Sequence, residues 1–121
     1  MQITWSSFHR FTEESVRKHV PKESGIYLLW VQLENNKWRC FYVGQTVDLE
    51  GSLIEHLSDN ESNACVKQKV HELICGYEYV LIDYRISRDR IEKFLYDFFG
   101  PECNTSDPGG EAIEVNLPRS L

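Results

Sequence analysis

The chain has 121 residues, 41% of them hydrophobic and 26% charged, which is enough apolar material for one compact core and too little length for two. Its net charge of -6 and isoelectric point near 5.2 argue against strong non-specific binding to nucleic acid and leave only local DNA contact, because affinity for a phosphate backbone comes mainly from Lys and Arg displacing counterions. No apolar run reaches the roughly 18 residues that a bilayer crossing needs, and the N-terminus has no charged-then-apolar leader, so a cytoplasmic protein away from membranes is expected.

The elements follow in chain order. Thr12 is placed to cap a short helix with Glu13 and Glu14 in its first turn, Arg17, Lys18 and His19 near its end and Pro21 beyond. Before it, Trp5, Phe8 and Phe11 stand at helix-like spacing and are expected to pack in the core, over the sheet, with a neighbouring protomer as the alternative. Gly25 to Leu33 is apolar at both parities, as in a strand covered on both faces. Asn35-Asn36 offers a turn and Lys37 to Val43 a returning strand. If that turn is two or four residues long, Tyr27 and Tyr42 project on the same side, since side chains alternate along each strand.

Gly44-Gln45-Thr46 is expected to leave the sheet as a loop. Leu49, Leu53, Ile54, His56 and Leu57 then read as a short amphipathic helix. A second helix is expected over Ala64 to Ile74, capped by Asn63 or Ser62 and stopped by Gly76. Tyr77 to Tyr84 reads as a third strand. Ser87 is placed to cap a further helix that runs to Phe99 and ends at Gly100-Pro101, with Ile91, Phe94, Leu95 and Phe98 as its apolar stripe and Glu92 at the border. Ala112 to Pro118 alternates weakly, as an edge strand or an ordered tail. The four cysteines, Cys40, Cys65, Cys75 and Cys103, make no C-x-x-C pair and have no His at zinc-finger spacing, so reduced, partly buried thiols are expected.

Gly25-Ile26-Tyr27, followed after one strand and a turn by Tyr42-Val43-Gly44, resembles the paired signature of the GIY-YIG endonuclease family. Further matches are Gln45-Thr46, His56, Glu92 and the end Gly100-Pro101-Glu102-Cys103-Asn104, so the likeness covers about residues 21–104 of a single 1–121 domain, with 105–121 as an extension. The resemblance implies an α+β fold: a small, mainly antiparallel sheet of about three strands, flanked by helices and open on one face. It also implies metal-dependent hydrolysis of a DNA phosphodiester. Glu92 would hold one Mg²⁺ or Mn²⁺ ion, Tyr27 and Tyr42 would orient water and phosphate, Tyr27 or a neighbouring His would assist proton removal, and Asn104 would support the site by hydrogen bonding.

Each residue has a plainer reading. The tyrosines pack as amphipathic strand residues, His56 sits half-buried on a short helix, Glu92 pairs with Arg88, and Asn104 is a loop residue. One position departs from the family. Where its arginine binds the scissile phosphate, this chain has Ser52, and no Lys or Arg occurs between Arg39 and Lys67, while Asp48, Glu50, Glu55, Asp59 and Glu61 do. A hydroxyl brings neither charge nor a bidentate fork. Arg39, Lys67, Lys69, Arg85, Arg88, Arg90 and Lys93 are the cations that could compensate from elsewhere in space. Three readings stay open: a nuclease with a modified phosphate clamp, a pseudo-nuclease that binds nucleic acid or a protein partner, and an unrelated interaction module.

Overall fold

The computed structural model describes residues 1–119. Its elements are β1 (His9–Arg10), α1 (Glu13–His19), β2 (Gly25–Gln32), β3 (Trp38–Thr46), α2 (Leu49–Leu57), α3 (Ala64–Glu72), β4 (Cys75–Leu81) and α4 (Arg85–Phe99). The strands make one antiparallel sheet in the order β1-β4-β2-β3. The α+β class is as expected, with one strand more than the three anticipated. The extra strand is the two-residue β1, which pairs His9 with Tyr77 and Arg10 with Gly76 at the far edge and is too short to leave a periodic signal.

β2 is central and buried from Gly25 to Val31, as its two-parity apolar run requires. On one face, Tyr27, Leu29 and Val31 pack with Phe41, Val16 of α1, Leu49 and Leu53 of α2 and Val66 of α3. On the other, Ile26, Leu28 and Trp30 pack with Cys40, Val43, Val80 and Ile91 and Leu95 of α4. The sheet is therefore covered on both faces, which corrects the expectation of an open one. Phe11 joins the first layer and Trp5 and Phe8 the second, but from an extended segment and not from a helix.

Local chemistry sets most of the helix ends. Thr12 accepts from Ser15 N–H, Asp48 from Gly51 N–H and Asn63 from Val66 N–H, and Gly100 ends α4 in the left-handed region at φ 55. Four boundaries differ from expectation. Gly44-Gln45-Thr46 stays in β3, paired with Tyr27, Ile26 and Gly25. α3 stops at Glu72, and Gly76 lies inside β4, where the ring of Phe8 takes the space a side chain would fill. β4 covers Cys75–Leu81 in place of 77–84. α4 begins at Arg85 without a side-chain cap, so Ser87 lies within the helix, and its apolar stripe turns inward at Ile91, Leu95 and Phe99, leaving Phe98 exposed.

The C-terminal segment is an ordered tail. Val115 is buried, and Asn116 accepts from Ile3 N–H and donates to the Ile3 carbonyl at 2.7 and 2.9 Å.

Gly25 shows why the first signature glycine is needed. A Cβ there would fall on the Val80 carbonyl oxygen and against Leu49. Gly25→Ala should therefore cost about 1 to 3 kcal/mol through a forced separation of β2 from β4. Urea unfolding measures it; an unchanged midpoint would contradict this packing.

Candidate active site

The position of Tyr42 depends on one irregularity. β2 and β3 pair Gln32 with Trp38, Val31 with Arg39 and Trp30 with Cys40, then Leu29 with Tyr42, so Phe41 is an extra residue with no partner in β2. The connection from Leu33 to Lys37 has an odd number of residues, with Asn36 at φ 63, and by itself would send Tyr42 to the face away from Tyr27. The bulge shifts the phase by one and restores it. Tyr27 and Tyr42 lie on one face with ring centroids 6.1 Å apart.

On that face Tyr27 Oη is 2.7 Å from His56 Nε2, and His56 Nδ1 is 2.6 Å from Glu61 Oε2. Asp48 starts α2 so that Ser52 and His56, one turn apart, face the two phenols. The ring of Tyr27 lies over Gly44, where a Cβ would overlap it, so the second signature glycine makes room for the phenol. Tyr27 is 4% exposed. Burial first, then the charges of Tyr42, Glu61 and Glu92, hold its phenol well above the usual range, so it is a proton donor at neutral pH. Tyr42 is raised by burial and then by Glu61 and Glu92.

Glu92 reaches the same region from the opposite face, past the outer edge of β3. Burial raises its carboxyl, and a hydrogen bond from Gln45 partly offsets this. Arg88 does not pair with it. The buried Arg88 guanidinium donates to the Ile82 and Asp83 carbonyls and to Gln45 Oε1, which turns the Gln45 amide so that Nε2 donates to Glu92 Oε1 at 3.1 Å and to Asp89. A cavity of about 210 Å³ lies against Glu92, Gln45, Asn104 and Tyr42, and one of about 440 Å³ against Tyr27, Tyr42, Ser52, His56 and Glu61. The two share Tyr42 and Thr105. Each of the six residues singled out in the sequence lines one or both of these neighbouring cavities.

Two of them act locally in ways their types foretell. Asn104 Oδ1 accepts from Val43 N–H at 3.0 Å and its Nδ2 donates to the Val43 carbonyl at 2.9 Å, replacing the strand that the edge of β3 lacks. Beside it Cys103 N–H donates to the carbonyl of Phe41, the bulge residue. Ser52 Oγ is 2.6 Å from Thr46 Oγ1, which also accepts from Asp48 N–H.

The thiol expectation needs correcting. Cys65 and Cys103 form a disulfide that ties the clasp segment to α3, while Cys40 and Cys75 are free and buried. Burial pushes the Cys75 thiol up to about 11. Nothing in the local sequence announces a bond across 38 residues, because it is made by the approach of α3 to the clasp segment.

None of the possible compensating cations lines either cavity; among the described residues the charged lining is Glu55, Glu61 and Glu92. Lys67 donates to the Asp59 carbonyl, Lys69 pairs with Glu102, Arg85 with Asp89, Arg90 with Glu111 and Lys93 with Asp97 and Asp107. No group of three or more His, Cys, Asp or Glu is gathered as a metal cage among the described residues. A single half-buried carboxylate beside a small polar cavity suits Mg²⁺, which keeps most of its water. Glu61 and Thr105 were not anticipated as site residues; Gln45 was noted as a match directly after the second signature glycine and Arg88 as a possible compensating cation, but not as partners of each other.

Asn104→Ala should cost about 1 to 3 kcal/mol, since it strips partners from two backbone groups at once. Reduction of Cys65–Cys103 should cost about 2 to 4 kcal/mol. Denaturant midpoints test both, and a clasp irrelevant to the edge of β3 would leave the first unmoved.

No family model matches the chain, and a search of curated proteins gives no match. Solved structures do. The GIY-YIG N-terminal endonuclease domain of UvrC from Thermotoga maritima, bound to its catalytic divalent cation, magnesium, matches with TM-score 0.55 and 18% identity, over 78% of this chain and 100% of that one. Two point mutants of that domain, one with a tyrosine replaced by phenylalanine and one with an asparagine replaced by alanine, each bound to its catalytic divalent cation, match over the same shares with TM-score 0.55 and identities of 18% and 17%. The chain therefore has the fold of the GIY-YIG endonuclease domain.

Proposed function

We propose that this chain is a metal-dependent nuclease domain that hydrolyses a phosphodiester of DNA, with Glu92 as the protein ligand of one Mg²⁺ or Mn²⁺ ion. The observation that carries this reading is the 2.7 Å contact between the buried Tyr27 phenol and His56 Nε2, in a cavity that shares Tyr42 and Thr105 with the one beside Glu92. When bound, the ion would supply Lewis-acid neutralisation of the phosphoryl charge. The residues do the rest. Attack by water needs a base, and Tyr27 Oη can take the water's proton as its own passes to His56 Nε2. Tyr42, between the two cavities, orients water and phosphate, and Asn104 keeps the backbone of Tyr42 and Gly44 in place through Val43.

With Ser52 at the family's arginine position, no Lys or Arg among the described residues lines the cavities to share the charge neutralisation. Loss of one fixed donor costs about 2.7 to 4 kcal/mol, roughly 10² to 10³ in rate, so a slow enzyme is expected. DNA contact is local, given the net charge of -6. A second reading, a pseudo-nuclease used for binding, is favoured by the all-acidic charged lining of the cavities. As to location, the Cys65–Cys103 bond weighs against the cytoplasmic setting expected from the sequence, because reducing compartments keep thiols free.

Plasmid relaxation separates the two readings. The wild type should nick slowly with Mg²⁺ or Mn²⁺, Glu92→Ala should abolish nicking, and Ser52→Arg should speed it roughly 10²-fold. Inactivity of all three folded proteins would favour the binding module. Because burial raises the Glu92 carboxyl, protonation competes with the ion at a higher pH than for an exposed glutamate. Mn²⁺ affinity measured by calorimetry should therefore begin to fall, on acidification, at a higher pH than that at which an exposed glutamate protonates. Constant affinity would count against Glu92 as ligand.

A further inference from the structure

We infer that Glu61 is the positioning residue of this site: it holds the proton of His56 on Nδ1 and so leaves Nε2 as the acceptor for the Tyr27 phenol. Its consequence for catalysis rests on the nuclease reading above; the positioning itself does not.

Both partners are enclosed, with side-chain exposures of 12% for His56 and 7% for Glu61 at an Nδ1–Oε2 distance of 2.6 Å. An ionised carboxylate only accepts, so the imidazole nitrogen facing it must carry the hydrogen. In the neutral ring the other nitrogen is then a lone pair, and what faces it at 2.7 Å is the Tyr27 hydroxyl, a phenol held protonated by its burial. With the ring neutral, the donor order along the chain is then Tyr27 O–H to Nε2 and Nδ1–H to Glu61. The arrangement has the logic of a base oriented by a third group behind it.

Glu61 is held as firmly as it holds. Its second oxygen accepts from Asn63 N–H at 2.9 Å, while the Asn63 side chain caps α3 and donates to the Cys103 carbonyl at 2.8 Å. Glu61 reaches the ring because the chain turns back after α2. Ser58 N–H and Oγ donate to the Glu55 carbonyl, Asn60 N–H donates to Ser58 Oγ, and Glu61 N–H donates to the Ser58 carbonyl. Continued helix would carry residue 61 round to another side of α2.

A purely structural role, as acceptor for Asn63 N–H, is the rival, and Glu61→Gln separates the two. The glutamine oxygen can keep the Asn63 bond, but its NH₂ then faces Nδ1 and donates to it. The histidine proton is forced to Nε2, and the Tyr27 bond reverses direction. Nitrogen-15 NMR of the His56 ring reads this in the protein alone, without metal or DNA. The inference expects an Nδ1–H tautomer in the wild type, an Nε2–H tautomer in Glu61→Gln with native circular dichroism, and nicking reduced roughly 10²- to 10⁴-fold. Glu61→Asp, which keeps a carboxylate, should retain the Nδ1–H tautomer and serves should the glutamine variant not fold. A wild-type Nε2–H tautomer, or one unchanged in Glu61→Gln, would overturn the inference. If the tautomers behave as stated while the wild type never nicks, the positioning stands and the nuclease reading falls.

Discussion

Phe41 has no partner across the hairpin, and the geometry of the site depends on that extra residue. In a regular ladder closed by the Leu33–Lys37 connection, Tyr42 would point into the layer beneath α4 and Tyr27 into the layer beneath α2. One inserted residue puts both phenols under α2, within reach of His56. It also leaves the Phe41 carbonyl without a strand neighbour on an edge strand, and the Cys103 N–H takes that role. The clasp by Asn104 and the disulfide to α3 follow from the same need to hold an edge that nothing else pairs.

A site at a sheet edge can draw on both faces. The phenols, imidazole, Ser52 and Glu61 belong to the layer of α2 and α3, and Glu92, Gln45 and Arg88 to the layer of α4. They meet around Tyr42, whose phenol feels the charges of both Glu61 and Glu92. The charged lining of the two cavities is acidic among the described residues, so an anionic substrate gains little from it unless a cation is bound there. On the proposed reading, that balance gives the half-buried Glu92 a purpose. A carboxylate that burial makes costly to ionise is a poor structural residue and a reasonable ligand for a hydrated divalent ion.

Much of this was legible in the sequence. The two-parity apolar run of β2, the caps at Thr12, Asn63 and Gly100 and the helix phase of Ser52 and His56 are local properties, and local chemistry decided them. The shared face of Tyr27 and Tyr42 was anticipated for a reason that does not hold: the connection has odd length where an even one was assumed, and the bulge cancels the difference. Glu61 was hidden because it lies beyond the end of α2 and returns only through the Ser58 turn. The Gln45–Arg88 relay, the Cys65–Cys103 bond and β1 are tertiary features, made by segments far apart in the chain, and no local pattern says which of them will meet.

The central claim is that elements from both faces of the sheet build one ion site beside Tyr42. Paramagnetic broadening by Mn²⁺ in the amide spectrum of the wild-type protein tests it most directly. The account predicts broadening centred on Tyr42, Gln45, Glu92 and Asn104, fading with distance and absent when Glu92 is replaced by alanine. Broadening centred on the exposed acidic surface instead, or unchanged by that replacement, would contradict it.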